Sequence, residues 1–353
     1  VNESIAAVVL GGTGYVAGEL LRLLAAHPTF RVAAVMSDSQ PGAPLAGAFP
    51  HLGTSYPHER FRSEEEVTRI LCEAPQSALF SAAPHGVAAG LIDRLLTACE
   101  RAGSAPRVAD ISADFRYRSA AAYEAVYHRP HPAPARLAQF TCAVPEHLER
   151  LTTPHVAHPG CFATAMLLAA VPLLATGLVS DTLFISGTTG STGSGRKPVE
   201  ATHHPLRHGD LYSYSALAHR HTPEVTACAK AATGVDAEFA FIPHSGPFAR
   251  GIHVTLQAAL RRPLDTDELL GLLRAFYAAM PFVQVRAQAP RVKDVATSNY
   301  AHLSATVAGN TLAVLCAIDN LNKGAAGGAI QWMNRIYGLP QSAGLGAPAP
   351  GWT

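Results

Sequence analysis

An apolar run, SIAAVVL (4–10), breaks at a glycine cluster and resumes as leucines and alanines at helical spacing through GGTGYVAGELLRLLAAHP (11–28). A second apolar run, RVAAVM (31–36), follows at once. Strand, glycine turn, helix and strand in that order predict the opening βαβ unit of a doubly wound parallel sheet. The pattern predicts helices over 64–72 and 88–102, and two more parallel strands at SALFSAA (77–83) and RVADIS (107–112). Residues 119–154 are rich in proline, tyrosine and histidine and read as irregular connections with short helices.

The pattern changes after His158. ATAMLLAAVPLLATG (163–177) reads as a helix, and DTLFISGTTG (181–190) as a strand running into a glycine-rich loop. EFAFIPHSG (238–246), GIHVTLQAAL (251–260) and LSATVAGNTLAVLCAID (303–319) supply further β candidates around a helix at 265–280. The expected fold class is therefore α/β. A Rossmann-type dinucleotide-binding domain (1–157) joins an α+β catalytic domain (158–323) with a largely antiparallel sheet. A late helix near 324–353 completes the first domain, and the proline- and glycine-rich tail from Pro340 reads as extended.

Composition narrows the function classes. Lysine plus arginine (27) nearly balances aspartate plus glutamate (26), and the basic residues are dispersed, so no nucleic-acid footprint is expected. The most apolar stretches carry proline and small residues and fall short of a membrane span. VNESIAAVVL lacks the basic and apolar regions of a signal peptide, which makes the cytoplasm the default expectation. Six cysteines without CxxC or zinc spacing read as free thiols, with no metal site.

Two constellations carry chemistry. Gly11, Gly14 and Ala17 form GxxGxxA between strand and helix, with Thr13, Tyr15 and Val16 completing the turn. Small residues there let backbone amides approach a pyrophosphate at the helix N-terminus, although a glycine turn also serves packing alone. No acidic residue ends the second strand. Ser37 stands there and could donate to a 2′-phosphate, favouring NADP; Asp38 keeps NAD in play. Pro84 follows another strand and could line the cofactor cleft.

The second constellation begins at HPGCFATA, where Cys161 directly precedes a helix. Unpaired amides and the positive dipole end favour a thiolate there, and the same amides could hold an oxyanion. HRHTPE adds His219, Arg220, His221 and Glu224. His221 reads as the acid/base with Glu224 orienting it, and His219 as a substrate or phosphate ligand; the two histidine roles could be exchanged. Arg116, after SADF, is suited to a phosphate or carboxylate. The loop SGTTGSTGSGRKP, with Gly190 and Gly193, offers amides for the cofactor and substrate, and Asn320 could hold a nicotinamide carboxamide.

GGTGYVAGEL, SADFR, HPGCFATA, SGTTGSTGSGR, HRHTPE, PHSGPFARGI and AIDNLNKGAAGGAIQ, in this order, resemble the N-acetyl-gamma-glutamyl-phosphate reductase family over nearly the whole chain. The resemblance implies a fold related to aspartate-semialdehyde dehydrogenase. It implies NADPH-dependent reduction of an acyl phosphate to a semialdehyde, with phosphate released, in arginine biosynthesis. It further implies Cys161 as nucleophile, His221 with Glu224 as base, His219 and Arg116 in the substrate site, and a homotetramer. One departure is GYVAGEL, which exchanges the usual order of small residues at 17 and 18. A sister family reduces aminoadipyl phosphate on a small carrier protein. HPGCFATA and GSGRK favour the free substrate, whereas ATHHPLRHGD resembles the carrier-linked enzymes. A reading of another class, a non-catalytic NADP-binding redox regulator, would not need the cysteine, histidines and arginine of the second half.

Overall fold

The computed structural model describes residues 4–352. It divides into two compact units. The first contains the chain up to Cys142, Arg150–His158 and Ala326–Leu345; the second contains Ala143–Glu149, Pro159–Ala325 and the chain from Gly346 onward. The expected division at 157/158 therefore differs in detail. A short segment before it belongs with the second unit, His158 stays with the first, and the end of the tail leaves the first again.

In the first unit, seven parallel strands stand in the order β3-β2-β1-β4-β5-β7-β6. These are β1 (Ile5–Leu10), β2 (Phe30–Met36), β3 (Phe61–Arg62), β4 (Ser77–Ser81), β5 (Arg107–Asp110), β6 (Phe140–Cys142) and β7 (His155–Ala157). The helices are α1 (Tyr15–Leu24), α2 (Leu45–Ala48), α3 (Glu64–Glu73), α4 (Ala88–Ala102), α5 (Ala120–Tyr127) and, from the far end of the chain, α10 (Gly327–Ile336). Val8, Leu10, Leu79, Ile92, Leu95 and Val108 meet in one fully or nearly fully buried core, as a sheet covered by helices requires. Ser63 and Glu66 form a capping box at the start of α3, satisfying two amide donors reciprocally.

Two sequence expectations need correction in this unit. The stretch 119–154, read as irregular connections with short helices, also contains the three-residue strand β6, which pairs with the equally short β7 just beyond it. The tail is not extended from Pro340. It turns at 341–345, where Asn334 donates to the carbonyls of Gln341 and Ala343 and Leu345 is buried. The unusual Gly18 also finds its reason. A Cβ there would lie 2.8 Å from the Phe49 ring, so the small residue belongs at this position.

The second unit carries seven strands in the order β12-β13-β14-β11-β8-β10-β9. They are β8 (Thr182–Thr189), β9 (Tyr212–Ser213), β10 (Glu238–Ser245), β11 (Ile252–Ala259), β12 (Val283–Val285), β13 (Ala301–Ala308) and β14 (Thr311–Ile318). Only β8–β10 and β12–β13 are parallel, so the sheet is largely antiparallel. Its helices are α6 (Cys161–Ala175), α7 (His204–Arg207), α8 (Thr222–Thr233) and α9 (Thr266–Phe276). Helix α6 is apolar on every side, and Phe162 to Leu174 are all buried. Such a helix belongs inside a core, where each large aliphatic side chain contributes about 1.5–3 kcal/mol. The Phe162 ring presses onto β8 where a side chain on Gly187 would stand, and this fixes the start of α6 on the sheet.

Candidate active site

Cys161 is the first residue of α6 rather than the residue before it, and Gly160 is the N-cap. No side chain caps the helix from position 160 itself. Instead the N–H of Gly160 donates to Oε1 of Glu224 over 2.6 Å, from 64 residues away. The sulfur of Cys161 thus sits at the positive end of a fifteen-residue helix, where the first amides have no intrahelical carbonyl to bond.

Cys161 is partly exposed and lines a cavity of about 540 Å³ built wholly within the second unit. Thr189, Gly193, Tyr214, His219, Arg220 and His221 share its wall. His221 is the N-cap of α8, so Pro223 and Glu224 fall in that helix's first turn. Its N–H donates to Nδ1 of His219 at 3.2 Å, and the two rings meet edge to face with centroids 4.7 Å apart. Accepting at Nδ1 leaves the neutral His219 ring with its proton on Nε2. Burial first, and the charge of Arg220 second, pull His219 down from the ordinary histidine range to about 4. His219 is accordingly a neutral donor near pH 7. Tyr214 packs against its ring at 5.6 Å, and burial, then the Cys161 sulfur, push the phenol well above its ordinary range.

Glu224 is fully buried, and its Oε1 anchors the turn before Cys161, a bond additional to the orienting role expected of it. Asn320 is likewise a brace. Its amide oxygen accepts from Gly251 N at 2.7 Å and its nitrogen donates to Thr192 Oγ1 at 3.0 Å, tying the glycine loop to the start of β11. Gly193 lines the cavity; Gly190 opens the turn Ser191–Ser194 and donates to Gly251 O. Arg116 lies in the first unit, 6% exposed, with Nε on the His158 carbonyl at 3.1 Å and Nη2 on the Ile111 carbonyl at 2.8 Å. These bonds fix its guanidinium plane.

Sequence reasoning read Arg220 only as a permanent positive charge and passed over Tyr212, Tyr214, Ser215 and Ser245, all of which line the cavity. LYSYS carries no signal that separates it from a polar loop; its only hint is two aromatic residues in a short alternation, here the two-residue strand β9.

The first unit holds the nucleotide turn. Gly11 has φ +74°, a conformation that favours glycine, and a Cβ on it would come 2.4 Å from the Ala82 carbonyl oxygen. Gly14 is the N-cap of α1 and donates to Gly11 O, with Tyr15 and Val16 as the first helical residues behind Thr13. The glycine N-cap places no side-chain hydrogen bond on the first amides of α1, so the turn fits a pyrophosphate at the helix end. Ser37, just past β2, is 5% exposed, with Oγ 3.3 Å from that of Ser39. Pro84 is exposed beyond β4, in the turn that leads into α4. Among the described residues no helix is long and apolar enough to cross a membrane, and no group of three or more ligating side chains forms a metal site.

Two family models cover most of the chain: the semialdehyde dehydrogenase NAD-binding domain over residues 6–146, and the semialdehyde dehydrogenase dimerisation domain over 161–320. The chain belongs to the semialdehyde dehydrogenase family. A protein named N-acetyl-gamma-glutamyl-phosphate reductase from Symbiobacterium thermophilum is 36% identical over 96% of both chains. Another so named, from Nitrosococcus oceani, is 37% identical over 97% of this chain and 98% of its own. A candidate LysW-L-2-aminoadipate 6-phosphate reductase from Thermomicrobium roseum is also 37% identical, over 98% of each. Among solved structures, aspartate semialdehyde dehydrogenase II from Vibrio cholerae superposes with a TM-score of 0.68 at 13% identity, over 95% of this chain and 99% of that one. That likeness speaks for the fold alone. As a family member the chain is an oxidoreductase that binds a nicotinamide dinucleotide.

Proposed function

We propose that this chain reduces N-acetyl-gamma-glutamyl phosphate to N-acetylglutamate 5-semialdehyde and phosphate, using NADPH, by way of a thioester on Cys161. The observation that carries the reading is the placement of Cys161 at the start of α6, in one cavity with His219, His221 and Arg220. The relatives named for this reaction support the substrate.

In this reading the Cys161 thiolate attacks the acyl carbonyl, a C–S bond forms, and the C–O bond to phosphate breaks. The amides of Phe162 and Ala163, early in α6, face the developing oxyanion. His219 offers its Nε2–H to an anionic substrate oxygen, and Arg116 and Arg220 answer the substrate's negative charge. His221 gives its proton to the oxygen of the reduced centre and takes it back as the C–S bond breaks, so that the semialdehyde leaves and the thiolate returns. Bound NADPH supplies the hydride that this reduction needs. Gly11, Thr13, Gly14, Tyr15 and Val16 would hold its pyrophosphate, Ser37 its 2′-phosphate, and Pro84, Gly190, Gly193 and Asn320 its nicotinamide half. The protein would work in the cytoplasm as a homotetramer.

The test is the reverse reaction. NADP reduction by N-acetylglutamate semialdehyde should require inorganic phosphate, and Cys161→Ser should abolish it. Phosphate-independent activity that survives the substitution would sink the thioester mechanism. A second reading has an observation of its own, since the relative named for LysW-linked aminoadipate phosphate is equally similar. Folded wild type that is inactive on the free semialdehyde but active on the carrier-linked one would decide for it.

A further inference from the structure

The β2–β3 edge of the parallel sheet gathers groups that the cofactor reading leaves unused. Strand β3 consists of Phe61 and Arg62 alone and pairs with Val35 and Met36 of β2. The N–H of Ser37 donates to the Arg62 carbonyl at 3.3 Å, and the N–H of Gly12 donates to the Met36 carbonyl at 2.8 Å. A Cβ on Gly12 would lie 2.9 Å from the Phe61 ring. The glycine turn, Ser37 and Arg62 are therefore neighbours at the carboxyl ends of adjacent parallel strands, where open α/β sheets bind nucleotides.

Arg62 is only partly engaged. Its side chain is 41% exposed, Nη1 donates to Glu66 Oε1 at 3.1 Å, and the buried Nε–H meets no hydrogen-bond acceptor among the described residues. Glu66 does not follow the arginine, because its other oxygen accepts from Ser63 N at 2.9 Å in the capping box. A part-exposed guanidinium with a donor to spare, on the residue whose carbonyl accepts from the Ser37 N–H, suits a phosphate dianion, which accepts from a fork of donors. Asp38, the carboxylate that kept NAD in play, is exposed; Arg94, held protonated chiefly by its hydrogen bonds to Glu64, is influenced by Asp38 as well.

We propose that Arg62, together with Ser37, reads the 2′-phosphate of the dinucleotide and so sets the preference for NADP over NAD. The proposal rests on the reading that this unit binds NADP, and it adds a residue that no motif in the sequence marks. Carried by a neighbouring strand rather than by β2 itself, the cation offsets the acidic residue that follows Ser37.

Calorimetric titration of wild type, Arg62→Gln and Glu66→Gln with adenosine 2′,5′-bisphosphate and with 5′-AMP tests this without any turnover. Wild type should prefer the bisphosphate, and Arg62→Gln should lose ~10- to 100-fold of that preference while its affinity for AMP stays the same. Glu66→Gln retains the capping box and frees the guanidinium, so it should bind the bisphosphate at least as tightly as wild type. A wild type that does not distinguish the two ligands overturns the NADP reading and this proposal with it. A wild type that discriminates, with Arg62→Gln discriminating equally, overturns the role of Arg62 alone. Equal weakening by both substitutions would mean a structural effect at the start of α3, and overturns it too.

Discussion

Replacing Gly324 by alanine would move the Cys161 backbone, and the size of the effect can be worked from distances. The added Cβ would stand 2.8 Å from Cys161 Cβ and 3.0 Å from Cys161 Cα, whereas ordinary contact begins near 3.4 Å. Something must give by about 0.6 Å, the difference between 3.4 and 2.8. The Gly324 loop is poorly placed to yield. On one side Asp319 is locked by Arg250 at 2.5 Å and by the amides of Leu321 and Asn322 at 2.8 Å each. On the other, Lys323 is held by Glu146 at 2.6 Å with both side chains fully buried. The strain therefore passes to the first turn of α6. Overpacking of this kind costs about 1–3 kcal/mol, and a misplacement approaching 1 Å near the chemistry lowers rates by about 10²-fold. Gly324→Ala should lose about 10- to 100-fold in turnover, slow alkylation of Cys161 by iodoacetamide and lower the melting temperature. Gly271→Ala is the control, since nothing lies within 4 Å of its Cβ position in α9; it should stabilise by about 0.4–1 kcal/mol with turnover unchanged. Wild-type turnover and alkylation in Gly324→Ala would refute the idea that this loop sets the position of Cys161, the proposed nucleophile.

Other consequences can be measured on the same protein. Lys323→Met leaves Glu146 buried and uncompensated and should cost about 3–5 kcal/mol in urea unfolding, much of it recovered in Lys323→Met/Glu146→Leu. Equal losses in the single and double variants would contradict this. The pH dependence has a definite sign. Burial, the leading cause for both, pulls His155 and His219 to about 4, below the unfolded value near 6.5, so the unfolded chain protonates first. Stability should be full above pH 6.5 and fall by up to about 1.4 kcal/mol per pH unit for each histidine as pH drops toward 4. Unfolding free energies that stay flat between pH 7 and 5 would count against neutral burial of these rings.

What the sequence made legible is what lies close together along the chain. The glycine turn with its strand and helix, the cysteine at a helix start and the paired histidines before α8 are each written within twenty residues. Strands β3, β6, β7, β9 and β12 were not legible, because two or three residues carry no period and take their conformation from the neighbour they pair with. The same limit applies to the site. Glu224 reaches Gly160 across 64 positions, Asn320 reaches Thr192 across 128 and Lys323 reaches Glu146 across 177. Glu224 and Asn320 were marked, but as partners of a histidine and a cofactor. Their structural bonds are long-range and could not be read from local pattern.

Those long-range bonds bear on how the proposed Cys161 thiolate could be stabilised next to a turn that is itself held by a buried carboxylate. A free Glu224 side chain near the sulfur would oppose negative charge on it. In the structure its Oε1 is committed to the N–H of Gly160, the N-cap amide, while the amides of Phe162 and Ala163 lie two and three positions further into the helix. His219 and Tyr214 are held neutral by burial, so they contribute donors without charge, and Arg220 is the guanidinium in the cavity wall. Around Cys161 stand the Arg220 cation, the neutral donors His219 and Tyr214, the proposed acid His221 and a helix end, with the Glu224 carboxylate bonded to the turn. Such an arrangement suits the proposed mechanism, in which negative charge rests on the sulfur and then develops on the substrate oxygen.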